Sequence, residues 1–372
     1  QVVAMSMCSK LSSDNSWSKS LGYASLVGII ISWIVQSEVV QVLETTLQYN
    51  KPCLITWVNH SFSVLLFPLL YCQHCLQRGC RGTDCISWLR SLRDQGITVQ
   101  LALSSGALLS LLYFSADMMW YVGLTRTSVA AGTAIFNSSC AVAYVLSLVF
   151  LDTKISFFPV LGIFATLAGV VLMSSAQKTD PAVQSVDGIR ALVGDFLIFG
   201  AAAAYAAFEV GFSAMLHHHQ LASSTVVVNG FSAAFGLFNV VFMWPVVVAV
   251  HNVPKSLESI HEAFEWPSSV QAVYLLLNGS LAFMFNVCFL LAIAFTSPVL
   301  TSICCVLTIP VAAVVDLLLW GKMLSLVEGA GCLLISCGFV VLAVSEHLEK
   351  QAEERVSLLG AESTARGGDT RL

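Results

Sequence analysis

Residues 266–315 read WPSSVQAVYLLLNGSLAFMFNVCFLLAIAFTSPVLTSICCVLTIPVAAVV and contain no Asp, Glu, Lys or Arg. A membrane-spanning helix needs about 20 predominantly apolar residues, and this stretch is long enough for two of them. Thr296, Ser297 and Pro298 divide it, because proline lacks an N–H and has a fixed φ, which ends a regular helix. The stretch therefore predicts two consecutive membrane spans.

The rest of the chain has a similar composition. Of its 372 residues, 57% are apolar and 10% are charged, whereas about 25% of the residues in a soluble domain are charged. The uncharged stretches together predict ten spans, at 20–43, 54–73, 98–124, 128–150, 156–176, 193–216, 224–250, 267–295, 298–320 and 326–346. Unbroken apolar runs of this length exclude the alternating pattern of barrel strands, so the predicted fold is an all-α membrane protein.

The distribution of Lys and Arg predicts the orientation. Ten spans place both termini on the same side, and cytosolic termini put 11 of the 17 Lys and Arg residues in the cytosol. This bias is typical of membrane proteins, so we predict cytosolic N- and C-termini. The net charge of −5 gives no basic surface, and no nucleic-acid partner is predicted. Because the sequence starts at Gln1, we expect the true N-terminus to lie upstream.

The chain resembles itself when it is shifted by 169 residues. The shift superposes Thr127-Ser128 on Thr296-Ser297, Gly162 on Gly331, and Gly169 on Gly338. This offset equals five spans, an odd number, so the second copy is predicted to cross the bilayer in the opposite sense. Inverted repeats are typical of secondary transporters, whose substrate site lies near the membrane midplane. The four glycines are expected to form close-packing helix surfaces.

The repeat divides the chain into predicted segments. They are a cytosolic N-terminal segment (1–19), a first five-helix repeat (20–176), a linker (177–192), a second five-helix repeat (193–346) and a disordered cytosolic tail (347–372).

Several short motifs of the first repeat are those of a known family. They are Ala116-Asp117, Tyr121, Leu124, Thr127-Ser128-Val129-Ala130, Thr133, Ser138-Ser139, Leu148, Leu151, Gly162 and Gly169. In these residues the chain resembles the drug/metabolite transporter superfamily (EamA-like), and within it the arm of solute carrier 35 subfamily F and fungal vacuolar-membrane transporters. The resemblance implies ten helices in two inverted halves and transport of a small organic solute. Many relatives carry Asn where this chain has Asp117.

Charged side chains inside spans are candidates for function, because each costs at least about 2.5 kcal/mol at the bilayer centre. The predicted proton-coupling residues are Asp117, Glu209, Asp316 and His60. The predicted substrate-binding residues are Asp117, Trp120, Tyr121, Asn137, Tyr144 and Asn286, the last being the counterpart of Asp117 at the 169-residue offset. The other interpretation is that the carboxyl groups are protonated and only join helices.

The sequence also favours a class of solute. No Lys or Arg lies as deep in a span as these carboxylates do. A phosphorylated solute would need such a cation to bind its oxygens, so a neutral or cationic organic solute is favoured.

The C-terminal tail contains a sorting motif. Glu354, Leu358 and Leu359 have the spacing of an acidic dileucine signal, which sorting adaptors bind on the cytosolic side. Together with the family resemblance, this motif favours a vacuolar, lysosomal or other endomembrane location over the plasma membrane.

We therefore predict a secondary transporter that moves a small organic solute through the bilayer by alternating access, with proton coupling as one option. The alternative is a non-transporting membrane scaffold or receptor with the same fold. The sequence lacks Gly-x-Gly-Asp and Gly-x-Ser-x-Gly motifs, so no enzyme activity is predicted. No cofactor or metal site is predicted.

Overall fold

The computed structural model describes residues 2–78, 85–124, 126–127, 129–176, 188–221, 224–253, 262–320 and 323–368. Within these ranges the regular structure is helical and contains no strand, so the predicted all-α class is confirmed.

Fourteen α-helices are found in these ranges, with three short segments of other helix types. The α-helices are α1 (Val2–Gln41), α2 (Pro52–Ser61), α3 (Leu66–Arg78), α4 (Cys85–Asp94), α5 (Val99–Leu124), α6 (Val129–Phe136), α7 (Ser139–Phe150), α8 (Phe157–Ala176), α9 (Gly188–His218), α10 (Thr225–Phe238), α11 (Trp244–His251), α12 (Ser269–Phe295), α13 (Pro298–Trp320) and α14 (Leu326–Gly368). Two π-helical segments, Val42–Thr46 and Asn239–Met243, and one 3₁₀ segment, Phe62–Leu65, continue neighbouring α-helices.

Ten helical segments are long and apolar enough to cross a membrane, as the sequence predicts. They are, from span one to span ten, Lys19–Thr46, Pro52–Leu76, Val99–Leu124, Ala131–Phe150, Phe157–Ser175, Leu192–His218, Thr225–His251, Ser269–Phe295, Pro298–Val315 and Leu326–Glu349. The predicted division between spans eight and nine is confirmed, because α12 ends at Phe295 and α13 begins at Pro298.

Spans two and seven are not regular α-helices throughout. Span two contains the 3₁₀ segment Phe62–Leu65, and Pro68 follows it one turn later. Span seven contains the π segment Asn239–Met243, after which Pro245 lies in the first turn of α11. Proline donates no hydrogen bond to the residue four positions earlier, and this missing bond accounts for the irregular geometry just before each proline.

The predicted close packing of glycines is confirmed where spans five and ten cross. A Cβ atom on Gly162 would lie 2.9 Å from the carbonyl oxygen of Gly338, and one on Gly169 would lie 2.7 Å from that of Gly331. Both distances are too short for any side chain, so the two helix backbones are in direct contact at these glycines.

The C-terminal region differs from the disorder that its composition predicts. Helix α14 continues from span ten through residue 349 and ends at Gly368. This segment is rich in Glu, Ala, Leu and Arg, which have high helix propensity, and it extends a helix that is already nucleated inside the bilayer. The chain before span one is likewise helical from Val2. Most of the predicted linker 177–192 lies outside the described residues, and α9 already begins at Gly188.

One end of the bundle is held by a connection between spans seven and eight. The Glu262 carboxylate accepts hydrogen bonds from the backbone N–H groups of Cys53 (2.7 Å) and Leu54 (3.1 Å) in the first turn of span two. Lys51 lies 3.5 Å from Glu265 in the same connection. Burial raises the pKa of the Glu262 carboxyl, against the lowering effect of the two N–H donors and of Lys51. We call this the open end, because a cavity opens towards it.

Candidate functional site

A cavity of about 540 Å³ lies between spans one, two, three, four, six, eight and nine. We call it the central cavity. It reaches the open end at Glu44 and Thr45, the last residues of span one, and extends inwards to Tyr205 and Ser302. At the opposite end the space between the spans is filled by a continuous apolar core that includes Trp88, Leu92, Val227 and Phe231. Within the described residues, the cavity is therefore closed towards this opposite end.

The central cavity brings together six of the residues predicted from the sequence. Its lining includes Asp117, Trp120, Tyr121, Asn137, Asn286 and His60. Asp117 and Asn286, which correspond at the 169-residue offset, both line it.

Three other predicted residues lie elsewhere. Tyr144 does not line the cavity, and its hydroxyl accepts a hydrogen bond of 3.2 Å from the Ser156 backbone N–H. Glu209 is fully buried behind the cavity wall. Asp316 lies on α13, near its C-terminal end, and its side chain is outside the described part of the chain.

The spacing along span three explains how several of these side chains share one face. Tyr113, Asp117, Trp120 and Tyr121 occupy positions i, i+4, i+7 and i+8 of α5, and all four line the cavity. In an α-helix these positions lie on one side. Closer to the start of the helix, the same side carries the buried residues Gly106, Leu109 and Ser110.

Asp117 and His60 form a pair that the sequence did not predict. The His60 Nε2 atom lies 2.9 Å from Asp117 Oδ2, and the side chains are 5% and 30% exposed, respectively. The His60 ring also packs on the Tyr113 ring, with centroids 4.3 Å apart. His60 Nδ1 is buried and has no hydrogen-bond partner among the described residues. A single bond to Asp117 therefore fixes the orientation of this imidazole.

Amide groups occupy two other walls of the central cavity. The Asn137 side chain donates a hydrogen bond of 2.7 Å to the Thr133 carbonyl oxygen, next to the break between α6 and α7. This bond leaves the Asn137 side-chain oxygen as an acceptor. Asn59, another lining residue, accepts a 2.7 Å bond from Asn278 and so joins spans two and eight.

Aromatic rings cover both sides of the cavity. Trp120 and Phe136 pack at a centroid distance of 4.8 Å on one side. Trp33 and Phe285 pack at 5.3 Å on the other. Trp33, Phe136 and Phe285 were not among the predicted residues, because apolar spans contain many aromatic residues and sequence alone does not show which of them face inwards.

The charged residues that line the central cavity are all acidic. Asp117 and Glu44 are the two carboxylates, and the described lining contains no Lys or Arg. Arg126 lies at the end of span three, where its guanidinium donates a hydrogen bond of 2.6 Å to the Val122 carbonyl oxygen. Glu44 was not predicted, because a charge in the last turn of a span is expected at the membrane surface.

Glu209 is separated from the central cavity by a single layer of side chains. Its side chain is fully buried in span six. Ser302, whose hydroxyl is next to this carboxyl group, lines the cavity. A titratable group thus lies beside the polar cavity but outside its present surface.

Comparison with known proteins confirms the resemblance predicted from the sequence. Residues 85–175 match the EamA-like transporter family. The chain is 25% identical to the uncharacterized transporter C405.03c of Schizosaccharomyces pombe, over 88% of this chain and 96% of that protein. It is 22% identical to solute carrier family 35 member F3 of Homo sapiens, over 88% and 73% of the two chains. It is 23% identical to the uncharacterized vacuolar membrane protein YML018C of Saccharomyces cerevisiae, over 89% and 92%.

The fold is also found among solved structures. A crystal structure that is 15% identical in sequence covers 89% of this chain and 98% of its own, with a TM-score of 0.55. This likeness concerns the fold alone. The family match and the named relatives support a membrane transporter.

Proposed function

We propose that this chain, which resembles EamA-like transporters and solute carrier 35 subfamily F, is a secondary transporter of a small organic solute. The central cavity carries the proposal, because it places Asp117, His60 and two amides in one polar space between the spans. The solute binds there and crosses the bilayer by alternating access. The alternative of a non-transporting scaffold requires no such space, and an open cavity of about 540 Å³ argues against it.

The solute is a neutral or cationic molecule with an aromatic or apolar part. Asp117 and Glu44 attract a cation, and phosphate groups would find no Lys or Arg in the described lining. Trp120, Tyr121 and Phe285 present ring faces that stack on planar groups or on a cation. Asn137 and Asn286 supply the hydrogen bonds that fix its orientation.

The contacts between spans five and ten support the inverted repeat. Gly162 contacts Gly338, and Gly169 contacts Gly331. The 169-residue shift carries Gly162 to Gly331 and Gly169 to Gly338, so it exchanges one contact for the other. Because the residue numbers rise along one helix as they fall along the other, the helices are antiparallel. An isologous contact of this kind between antiparallel helices fits a two-fold axis in the membrane plane.

Under the predicted topology the open end faces away from the cytosol. The excess of Lys and Arg lies at the other end, where the two termini also lie. For an endomembrane protein, the cavity then opens to the lumen. The vacuolar relative supports such a location. We also propose that a sorting adaptor binds Glu354, Leu358 and Leu359, which lie on the cytosolic extension of α14.

We propose that protons compete with the solute at Asp117. A protonated His60 binds the Asp117 carboxylate more strongly than a neutral one does, so an acidic lumen favours release of a cationic solute. Glu209 and Asp316 remain proposed proton carriers. For Glu209 the support is its complete burial next to Ser302, a residue that lines the central cavity.

Replacing His60 with Gln should remove this pH dependence. Histidine changes its charge between about pH 5 and pH 8, and glutamine does not. Binding of a cationic solute is compared at pH 7.5 and pH 5.5, and the wild-type affinity should fall with pH if an imidazolium at residue 60 competes with the solute for Asp117. In H60Q the affinity should change less than twofold over the same range. Equilibrium binding in nanodiscs measures both, and a wild-type affinity that is independent of pH would contradict the coupling.

Alternating access itself is tested by thiol labelling at Asn137. The twelve native cysteines are first replaced, and Asn137→Cys is then exposed to a membrane-impermeant thiol reagent from each side in turn. Labelling from the lumenal side is expected at rest, and labelling from the cytosolic side is expected once a solute gradient drives turnover. Asn252→Cys, exposed at the end of span seven, should react from the lumenal side under all conditions. Labelling of residue 137 from one side only, with no protection by solute, would favour a scaffold.

A further inference from the structure

A second cavity of about 680 Å³ lies beside the central cavity and is larger than it. We call it the side vestibule. It is lined by spans one, four, five, nine and ten and by the connection before span ten. Span one contributes Trp33, Ile34, Ser37 and Glu38. None of the transport steps described above uses this space.

The two cavities are adjacent and share part of their walls. Trp33, Ser37, Thr133, Thr308 and Ile309 line both of them. Trp33 is 45% exposed and packs on Phe285, which lines the central cavity. The Trp33 ring is therefore part of the wall between the side vestibule and the central cavity.

Glu38 places a carboxylate in the side vestibule. It lies eight residues before Thr46, the end of span one, which corresponds to a depth of about 12 Å along a helix. Its side chain is exposed and has neither a hydrogen bond nor an ion pair in the part of the chain that the structure describes. A carboxylate at this depth is costly unless water or a cation accompanies it.

The remaining walls combine one further acid with apolar surface. Glu328 is held in position by a capping box, in which its carboxylate accepts the Ser325 N–H at 2.7 Å and Ser325 Oγ accepts the Glu328 N–H at 3.2 Å. The lining also includes the apolar residues Val170, Met173 and Ala312. The described lining contains no Lys or Arg. Acidic groups together with apolar surface suit a cation that carries an apolar body.

We infer that the side vestibule is a second binding site, which takes an amphipathic organic cation from the membrane region beside span one. Glu38 pairs with the cationic group, the apolar surface covers the hydrocarbon part, and Trp33 separates this site from Asp117. Binding at this site does not depend on transport. Only the onward passage to Asp117 rests on the function proposed above.

Quenching of Trp33 fluorescence tests the inference. The probe is a nitroxide with a dimethyl-octyl-ammonium group, and it is added to the full chain in nanodiscs. The chain has eight tryptophans. The fluorescence of Trp33 is therefore obtained as the difference between the wild-type signal and that of Trp33→Phe. Saturable quenching is expected, and Glu38→Gln should raise the half-saturating concentration about tenfold through loss of one charge pair. Glu349→Gln, at an exposed acid near the other end of span ten, should leave it unchanged.

Three results would overturn the inference. Equal quenching by a doxyl-labelled octanoate would mean that the probe only partitions into lipid. An unchanged half-saturating concentration in Glu38→Gln would exclude the carboxylate. Loss of Trp33 quenching in Asp117→Asn would show that the probe binds at Asp117 and that the side vestibule is not a separate site. If Asp117→Asn instead leaves uptake intact while Trp33 quenching depends on Glu38, the proposed central site fails and the side vestibule stands.

Discussion

Replacing Asp117 with Asn is expected to reduce uptake at low solute concentration by about 30-fold or more, which corresponds to loss of one charge-assisted contact of about 2 kcal/mol. Asp117 lines the central cavity together with Asn137 and Asn286, and its side chain is 30% exposed. Asn has the same size and still accepts the bond from His60 Nε2. The substitution therefore removes the negative charge without opening a void.

Uptake into proteoliposomes is the measurement, with thermal unfolding as the check on folding. Asp152→Asn is the matched control, because it makes the same chemical change at an exposed residue at the end of span four, outside the cavity lining. Asp152 has a φ of 51°, a conformation that Asn tolerates well. Normal uptake and a normal melting temperature in Asp117→Asn would remove this residue from the mechanism.

The spans themselves were predictable, because a bilayer imposes a length and an absence of charge that can be counted along the sequence. The break at Thr296, Ser297 and Pro298 was also predictable, because proline ends a regular helix. The helical end of α14 was not predicted. Low hydrophobicity indicates that a segment cannot form its own core, but it does not prevent a segment of good helix formers from continuing an existing helix.

The arrangement of the site was only partly predictable. Asp117, Trp120 and Tyr121 share one face of a single helix, and helical spacing alone brings them together. The contact between His60 and Asp117 depends on how spans two and three are rotated against each other. That rotation is set by packing of complete helices, including the irregular part of span two, and no pattern within one span reports it.

Two acidic residues of span one were overlooked for a different physical reason. Glu44 lies just outside the predicted span 20–43, and Glu38 lies five residues before its end, so the sequence does not mark either as a charge at the bilayer centre. The structure places both in cavities because span one borders open space on that side. An acid near a span end is ambiguous in sequence, and only the neighbouring helices decide whether it lies at the surface or in a polar cavity.

A large loss of stability is expected for Gly169→Ala, in the crossing of spans five and ten. Its new Cβ atom would lie 2.7 Å from the Gly331 carbonyl oxygen and 2.8 Å from the Ile335 backbone nitrogen. Backbone atoms cannot move aside as a flexible side chain does, so the helices must separate. Overpacking of this kind costs about 1–3 kcal/mol, more than the roughly 1 kcal/mol that Ala gains over Gly in helix propensity.

Gly211→Ala is the matched control, because Gly211 lies in span six and no atom would come within 4 Å of its new Cβ. The same substitution should therefore lower the free energy of unfolding at Gly169 and leave it equal or higher at Gly211, as measured by reversible unfolding in mixed micelles. Gly338→Ala, at the position that the 169-residue shift relates to Gly169, should behave like Gly169→Ala, because its Cβ would lie 2.6 Å from the Gly162 carbonyl oxygen. Wild-type stability in both variants would mean that spans five and ten do not cross backbone to backbone, and the proposed two-fold relation between the halves would lose its main support.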